Sequence, residues 1–224
     1  SVATTNTLAE ICENIGADRN ETAPALRLDA RIGPKAYLTP GLGIAGGNLE
    51  RDLVTVKRLA EGSTADTGIV DAWQRNSAHR KDWAARTLRE AAGKRGLDLN
   101  NAVVAVWGLT YKENTHSTKN SPALQFVAGI PEARKQAFDP AAKLSAGAFP
   151  RLQQVSTALD CCRGADVLVI PTPWPEFRSA DLKAIRAAMS GHIILDPFGL
   201  LDGGQAAALG FDYYRLGVPP RLTV

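Results

Sequence analysis

The spacing of apolar residues changes character near residue 98. Before it the pattern is helical. Leu8, Ile11, Cys12 and Ile15 recur at intervals of three and four, which predicts a helix over 2–15. Residues 21–28 predict a short second helix, and 49–60 a third that Asn48 would cap. The longest periodic stretch is 65–93, where Ile69, Ala72, Trp73, Ala84, Leu88 and Ala91 share one broad stripe. A helix of that length would run about 40 Å, so it is expected to act as a connector whose stripe meets another subunit. Between the second and third helices lies a Gly- and Pro-rich segment, 31–47, with no period.

After residue 101 the pattern is that of buried strands. Residues 102–107 (AVVAVW) form a continuous apolar, β-branched run, as expected for a strand covered on both faces. Residues 167–170 and 192–195 repeat it, and 135–138 is a weaker candidate. Helical stretches at 122–128, 151–163 and 180–189 lie between them. Strands alternating with helices predict an α/β fold with a Rossmann-like, doubly wound parallel sheet. The expected division is a helical dimerisation domain over 1–97, a long joining helix, and a nucleotide-binding α/β domain over 98–224.

Composition narrows the function classes. The 224 residues include 26 Lys and Arg against 23 Asp and Glu, a net charge of +3 that is scattered along the chain. Such a surface gives no electrostatic footprint for nucleic acid. No run of 18 apolar residues exists to span a membrane, and the N-terminal segment lacks the basic start and apolar run of a signal peptide. Cys12, Cys161 and Cys162 are an odd set badly placed to pair, consistent with reduced thiols in the cytoplasm. His79, His116 and His192 are far apart, so no metal site is expected. Met189 is the only methionine, and the chain opens at Ser1 inside a helical pattern, as a processed or excised piece would.

Three segments carry candidate chemistry. Gly41-Leu-Gly43-Ile-Ala-Gly46 satisfies G-x-G-x-x-G, but the stretch before it is a poor strand ending in Pro40, so it is not expected to be a dinucleotide turn. Its glycines could still bring backbone N–H groups to a phosphate or sugar at the start of the following helix; alternatively the loop is only a flexible link. The segment after the strand at 102–107 carries Lys112, Thr115, Thr118, Lys119 and Ser121. Ligands of open parallel sheets bind outside such strand ends, and two ammoniums with several hydroxyls suit phosphate oxygens, although a solvated loop would look the same. Pro171-Thr-Pro-Trp-Pro-Glu-Phe177 follows another strand. It suits either a nucleotide base or a capping apolar cluster.

Together these pieces resemble the UDP-glucose/GDP-mannose dehydrogenase family of nucleotide-sugar 6-dehydrogenases. The resemblance is carried in order by Asn6-Thr-Leu-Ala-Glu10 with Glu13-Asn-Ile-Gly-Ala-Asp18, by Arg31-Ile-Gly-Pro-Lys35 with residues 41–52, by residues 106–112 through Ser121-Pro122, and by Thr172-Pro-Trp174-Pro-Glu-Phe177. It implies enzymes of three parts: an N-terminal Rossmann domain for NAD, a helical domain that forms a homodimer, and a Rossmann-like C-terminal domain for the nucleotide sugar. They oxidise a primary alcohol to a carboxylate in two hydride transfers, in polysaccharide biosynthesis. This chain then corresponds to the last two parts. NAD would be held mainly by the absent domain, with none expected in this chain, which alone would be inactive.

By the same resemblance, Arg31 contacts nucleotide sugar bound to the partner subunit, Tyr37, Gly43, Gly46 and Gly47 line the sugar site, and Lys112 and Lys119 bind substrate. Thr172, Trp174 and Phe177 fall where the nucleotide is held. One departure stands out. The family's active-site loop reads G-[YF]-G-G-S-C-[FL]-P-K-D, whereas residues 43–52 read Gly-Ile-Ala-Gly-Gly-Asn-Leu-Glu-Arg-Asp. Asp52 keeps the family's aspartate as a catalytic candidate, but Asn48 stands in the place of the nucleophilic cysteine. An amide cannot form the thiohemiacetal and thioester of the second oxidation. The four-electron reaction by covalent catalysis is therefore not expected. The alternative is a non-catalytic relative that binds nucleotide sugar or only dimerises. A further departure, Lys119 where arginine is usual, loses a bidentate fork.

Overall fold

A computed structural model describes residues 1–223. Five helices come first: α1 (Val2–Ile15), α2 (Arg19–Leu28), α3 (Asn48–Ala60), α4 (Gly68–Lys81) and α5 (Trp83–Arg95). Two of the ends show a clear local cause. Gly16 ends α1 in the left-handed region at φ 80°, and the Asp18 carboxylate accepts from Asn20 N to start α2.

The expected single long helix is two. Asp82, at φ −80° and ψ −6°, ends α4, and Trp83 begins α5. The two segments answer to different layers. In α4, Val70, Ser77 and Arg80 are buried while Ile69 and Trp73 stay exposed, and the helix packs on α1 and α3. In α5, Trp83, Ala84, Ala85, Leu88, Ala91 and Ala92 are buried against the sheet. One unbroken stripe cannot face both layers.

The rest alternates: β1 (Val103–Trp107), α6 (Pro122–Gly129), β2 (Arg134–Phe138), β3 (Leu152–Gln154), α7 (Ala158–Cys162), β4 (Val167–Val169), a 3₁₀ turn at Pro175–Ser179, α8 (Leu182–Ala188), β5 (Ile193–Leu195), α9 (Gly203–Ala208) and β6 (Asp212–Tyr214). The sheet is parallel throughout, in the order β3-β2-β1-β4-β5-β6. This is the doubly wound arrangement, and the strand order reverses between β1 and β4. The pleat sorts side chains to two faces. Val104, Val106, Val167, Val169, Ile193 and Leu195 pack under α5 and α6, whereas Ala105, Trp107, Leu168, Ile170 and Ile194 pack against α7, α8 and the 3₁₀ turn. The predicted helix over 151–163 is thus β3 followed by the shorter α7, because Leu152–Gln154 pairs with β2.

Candidate functional site

The Gly-rich loop before α3 lies in the seam between the helical layer and the carboxyl edge of the sheet. Asn6 of α1 accepts from Gly41 N at 2.9 Å, and Ser77 Oγ of α4 accepts from Ile44 N at 2.8 Å. Leu42, 4% exposed, enters the core on the α5 side of the sheet. Gly43, Gly46 and Gly47 all take positive φ. Two of them also need to lack a side chain. A Cβ on Gly43 would lie 2.5 Å from Ser77 O, and one on Gly46 would lie 2.7 Å from Tyr111 Cε2. Gly47, at φ 111°, is the N-cap of α3.

Across the seam stands the loop that leaves β1, residues 108–121. Asp139, directly after β2 and buried, holds its start: one carboxylate oxygen accepts from Leu109 N at 2.6 Å, Thr110 N at 3.1 Å and Trp174 Nε1 at 3.3 Å. The other accepts from Ala141 N and Ala142 N. Ser121 ends the loop as the N-cap of α6, its hydroxyl accepting from Ala123 N. The loop meets the Gly-rich segment at three points. The Tyr111 ring lies against Gly46, and the Lys119 stem and Asn120 Nδ2 lie against Gly47. Asn120 also donates to Glu50 Oε2 at 2.6 Å, while Glu50 Oε1 pairs with Lys81 of α4. A groove of about 580 Å³ opens beside this cluster, lined by Glu50, Lys81, Thr118, Asn120, Ser121 and Gln125 among others.

The expected site residues therefore divide. Gly43, Gly46, Gly47, Asn48 and Lys119 come together at the seam. Lys112 is exposed nearby, its ammonium 5.7 Å from the centre of the Tyr111 ring. Asn48, the first residue of α3, is exposed at the helix N-terminus. Asp52 lies one turn further on, exposed and 3.7 Å from Arg51. Arg31 and Tyr37 are also exposed, and Arg31 pairs with Asp29 at 2.6 Å, holding the Asp29 carboxyl below its usual range.

The third segment is internal. Thr172 is 0% exposed and donates to Thr110 O at 2.8 Å, closing the gap between the ends of β1 and β4. The Phe177 ring is 1% exposed and sits 5.1 Å from the Trp107 ring centroid. Trp174 is spent on Asp139. Trp174 and Phe177 are thus part of the buried apolar cluster on that face of the sheet. Sequence reasoning missed Asp139, Glu50, Tyr111 and Lys81. For Asp139 the signal was available, an acid directly after the second strand of a doubly wound unit.

The cysteines offer no nucleophile here. Burial pushes the Cys161 thiol up, with its neighbour Cys162 adding to the shift, and pushes Cys162 up to about 12. Among the described residues no group of three or more His, Cys, Asp or Glu side chains converges on a point, and no helix is long and apolar enough to cross a membrane.

Fold and seam define a doubly wound α/β module whose strand-end loop is faced by a Gly-rich loop from an adjoining helical layer. Comparison with known proteins matches both parts to one family. The UDP-binding domain of the UDP-glucose/GDP-mannose dehydrogenase family matches residues 105–203, and that family's central domain matches 1–78. The chain belongs to this family. It is 30% identical over 223 residues to a UDP-glucose 6-dehydrogenase of Rhizobium meliloti, covering 96% of this chain and 49% of that protein. It is 29% identical over 221 residues to the enzyme of that name from Rickettsia bellii, covering 96% and 50%. Among solved structures it resembles a UDP-D-ManNAc dehydrogenase from Pyrococcus horikoshii, with a TM-score of 0.80 at 27% identity, over 96% of this chain and 48% of that one. The chain spans about half the length of the relatives it matches.

Proposed function

We propose that this chain holds the nucleotide sugar in a dehydrogenase that oxidises a hydroxyl of a UDP- or GDP-sugar with NAD. The observation that carries the reading is the seam. Backbone N–H groups of a Gly-rich loop and the N-terminus of α3 face a strand-end loop bearing Lys112 and Lys119, an arrangement suited to a sugar joined to phosphates. The buried Thr172, Trp174 and Phe177 would then act by holding that loop rather than by touching the base.

The residues of the α/β half do not fit NAD. The turn after β1 carries one glycine, Gly108, which packs on Thr172. Asp139, placed where a ribose would be engaged, is consumed by the loop N–H groups and Trp174. NAD would then be held by a domain outside these residues.

Residues 1–97 would dimerise through their exposed apolar positions, among them Leu8, Ile11, Ile15, Ile69 and Trp73. Residues 98–224 would carry the nucleotide. Arg31, exposed at the surface of its own protomer, would reach the sugar bound to the partner subunit. The protein would work in the cytoplasm.

Asn48 limits the chemistry. With no thiol at the start of α3, the redox step would be a single two-electron oxidation or its reverse. The same residue favours the second reading, a relative that binds nucleotide sugar without turning it over. Calorimetry against UDP, GDP and their sugars, followed by NADH formation in the full-length protein, tests both. Binding with turnover of one hydride supports the first, and binding without turnover supports the second. Absence of binding refutes both. A trapped thioester would refute the limit drawn from Asn48.

A further inference from the structure

We propose that Glu50 is a positioning residue that clamps the two loops of the nucleotide-sugar site onto each other. This rests on the nucleotide-sugar reading above. Glu50 is the third residue of α3, directly after the Gly-rich loop, and its two carboxylate oxygens are shared between different parts of the molecule. One pairs with Lys81 of α4, and the other accepts from Asn120 Nδ2 at 2.6 Å, 70 residues away in the loop leaving β1. The Lys81 arm of the tie is part-buried, with the Glu50 side chain 28% exposed and Lys81 only 11%, whereas the Asn120 arm is exposed. Asn120 itself is held at φ 51°, in the left-handed region, with its amide against Gly47. A non-glycine residue keeps that conformation when its surroundings fix it, and Glu50 is its charged partner.

The Glu50 carboxylate fixes the α3 N-terminus against the loop bearing Lys119. Where the other contacts across this seam are packing of Tyr111 on Gly46 and of the Lys119 stem on Gly47, the Glu50 bonds are directional and set the register of the two loops.

The test is a set of variants in the full-length protein, read by calorimetric affinity for UDP and by thermal unfolding. Glu50→Ala and Asn120→Ala should each weaken UDP binding roughly three- to fivefold, the loss of one exposed charge-assisted hydrogen bond. The double variant should lose no more than either alone. Glu50→Gln keeps an acceptor for Asn120 and should restore affinity to within about twofold of the parent, since the Lys81 charge pair is not what aligns the loops. A merely structural role predicts a lower melting temperature in Glu50→Ala with UDP affinity unchanged, and that result overturns the proposal, as do additive losses. If the parent binds no UDP, GDP or sugar derivative, the nucleotide-sugar reading fails instead. The clamp is then read by hydrogen exchange. Faster exchange in both 41–49 and 108–121 of Glu50→Ala, with β4 and β5 still protected, supports it, and unchanged exchange overturns it.

Discussion

Asp139 is the residue whose loss should cost the site most. Asparagine at this position keeps the size and one oxygen, but it cannot accept on both sides. If the oxygen serves Ala141 N and Ala142 N, the amide NH₂ faces Leu109 N, Thr110 N and Trp174 Nε1, which are all donors. Leu109 and Thr110 are buried, so no water replaces the lost acceptor. A buried N–H left without a partner costs about 1–3 kcal/mol. Two of them, relaxed by small backbone shifts, give about 3 kcal/mol for Asp139→Asn. In a chain of this size each kcal/mol moves the melting temperature by roughly 2–4 °C, so the expected drop is roughly 6–12 °C. Circular dichroism melts at neutral pH, with urea titration as a check on the free energy, measure it directly. A melting temperature within about 2 °C of the parent would refute the claim that this carboxylate holds the strand-end loop in place.

Two further outcomes follow from the same bond geometry. Asp212 accepts from Arg95 Nε and Nη2, each at 2.6 Å, and from Thr223 N. Burial alone would raise its carboxyl, but the Arg95 and Thr223 bonds outweigh burial and hold it below the usual range. A depressed folded value gives stabilisation that is complete above the unfolded value near 4 and is lost as pH falls through the folded one. The urea midpoint should therefore fall as pH drops below about 4, and Asp212→Asn should flatten that slope; equal slopes would count against the pairing. Asn48→Cys would place a thiol at the exposed N-terminus of α3, where the helix dipole lowers thiol values. Titration with a disulfide reagent under native conditions should find one fast thiol in that variant and none in the parent, whose three cysteines are buried; fast labelling of the parent would contradict their placement.

The sheet centre was legible in the sequence because β1, β4 and β5 are buried on both faces and read as unbroken apolar runs. The edges were not. Leu152–Gln154 is polar enough to pass for part of a helix, and Asp212–Tyr214 mixes an acid with two tyrosines, although all three residues are buried. Asp212 tolerates that burial only because Arg95, 117 residues earlier, pairs with it. The helical half shows the same limit. Arg19 and Arg80 look like surface charges, yet both are buried, Arg80 on Glu13 at 2.9 Å and Arg19 among Thr5, Thr22 and Leu38 O. At the site, the glycines announced themselves through their spacing. Their partners, Tyr111, Asn120 and Ser77, are set by folding across 34 to 73 residues and leave no local pattern.

Leu42 makes the sequence boundary and the energetic boundary different lines. It lies in the Gly-rich loop, yet its side chain is part of the core that keeps the sheet dry, alongside Trp83, Ala84 and Leu88 of α5. Recombination that exchanged residues 98–224 alone would seat the incoming sheet under another protein's α5 and Leu42, shapes it did not evolve against. A unit of exchange that keeps this core intact has to carry α5 and a matching residue at position 42 with it.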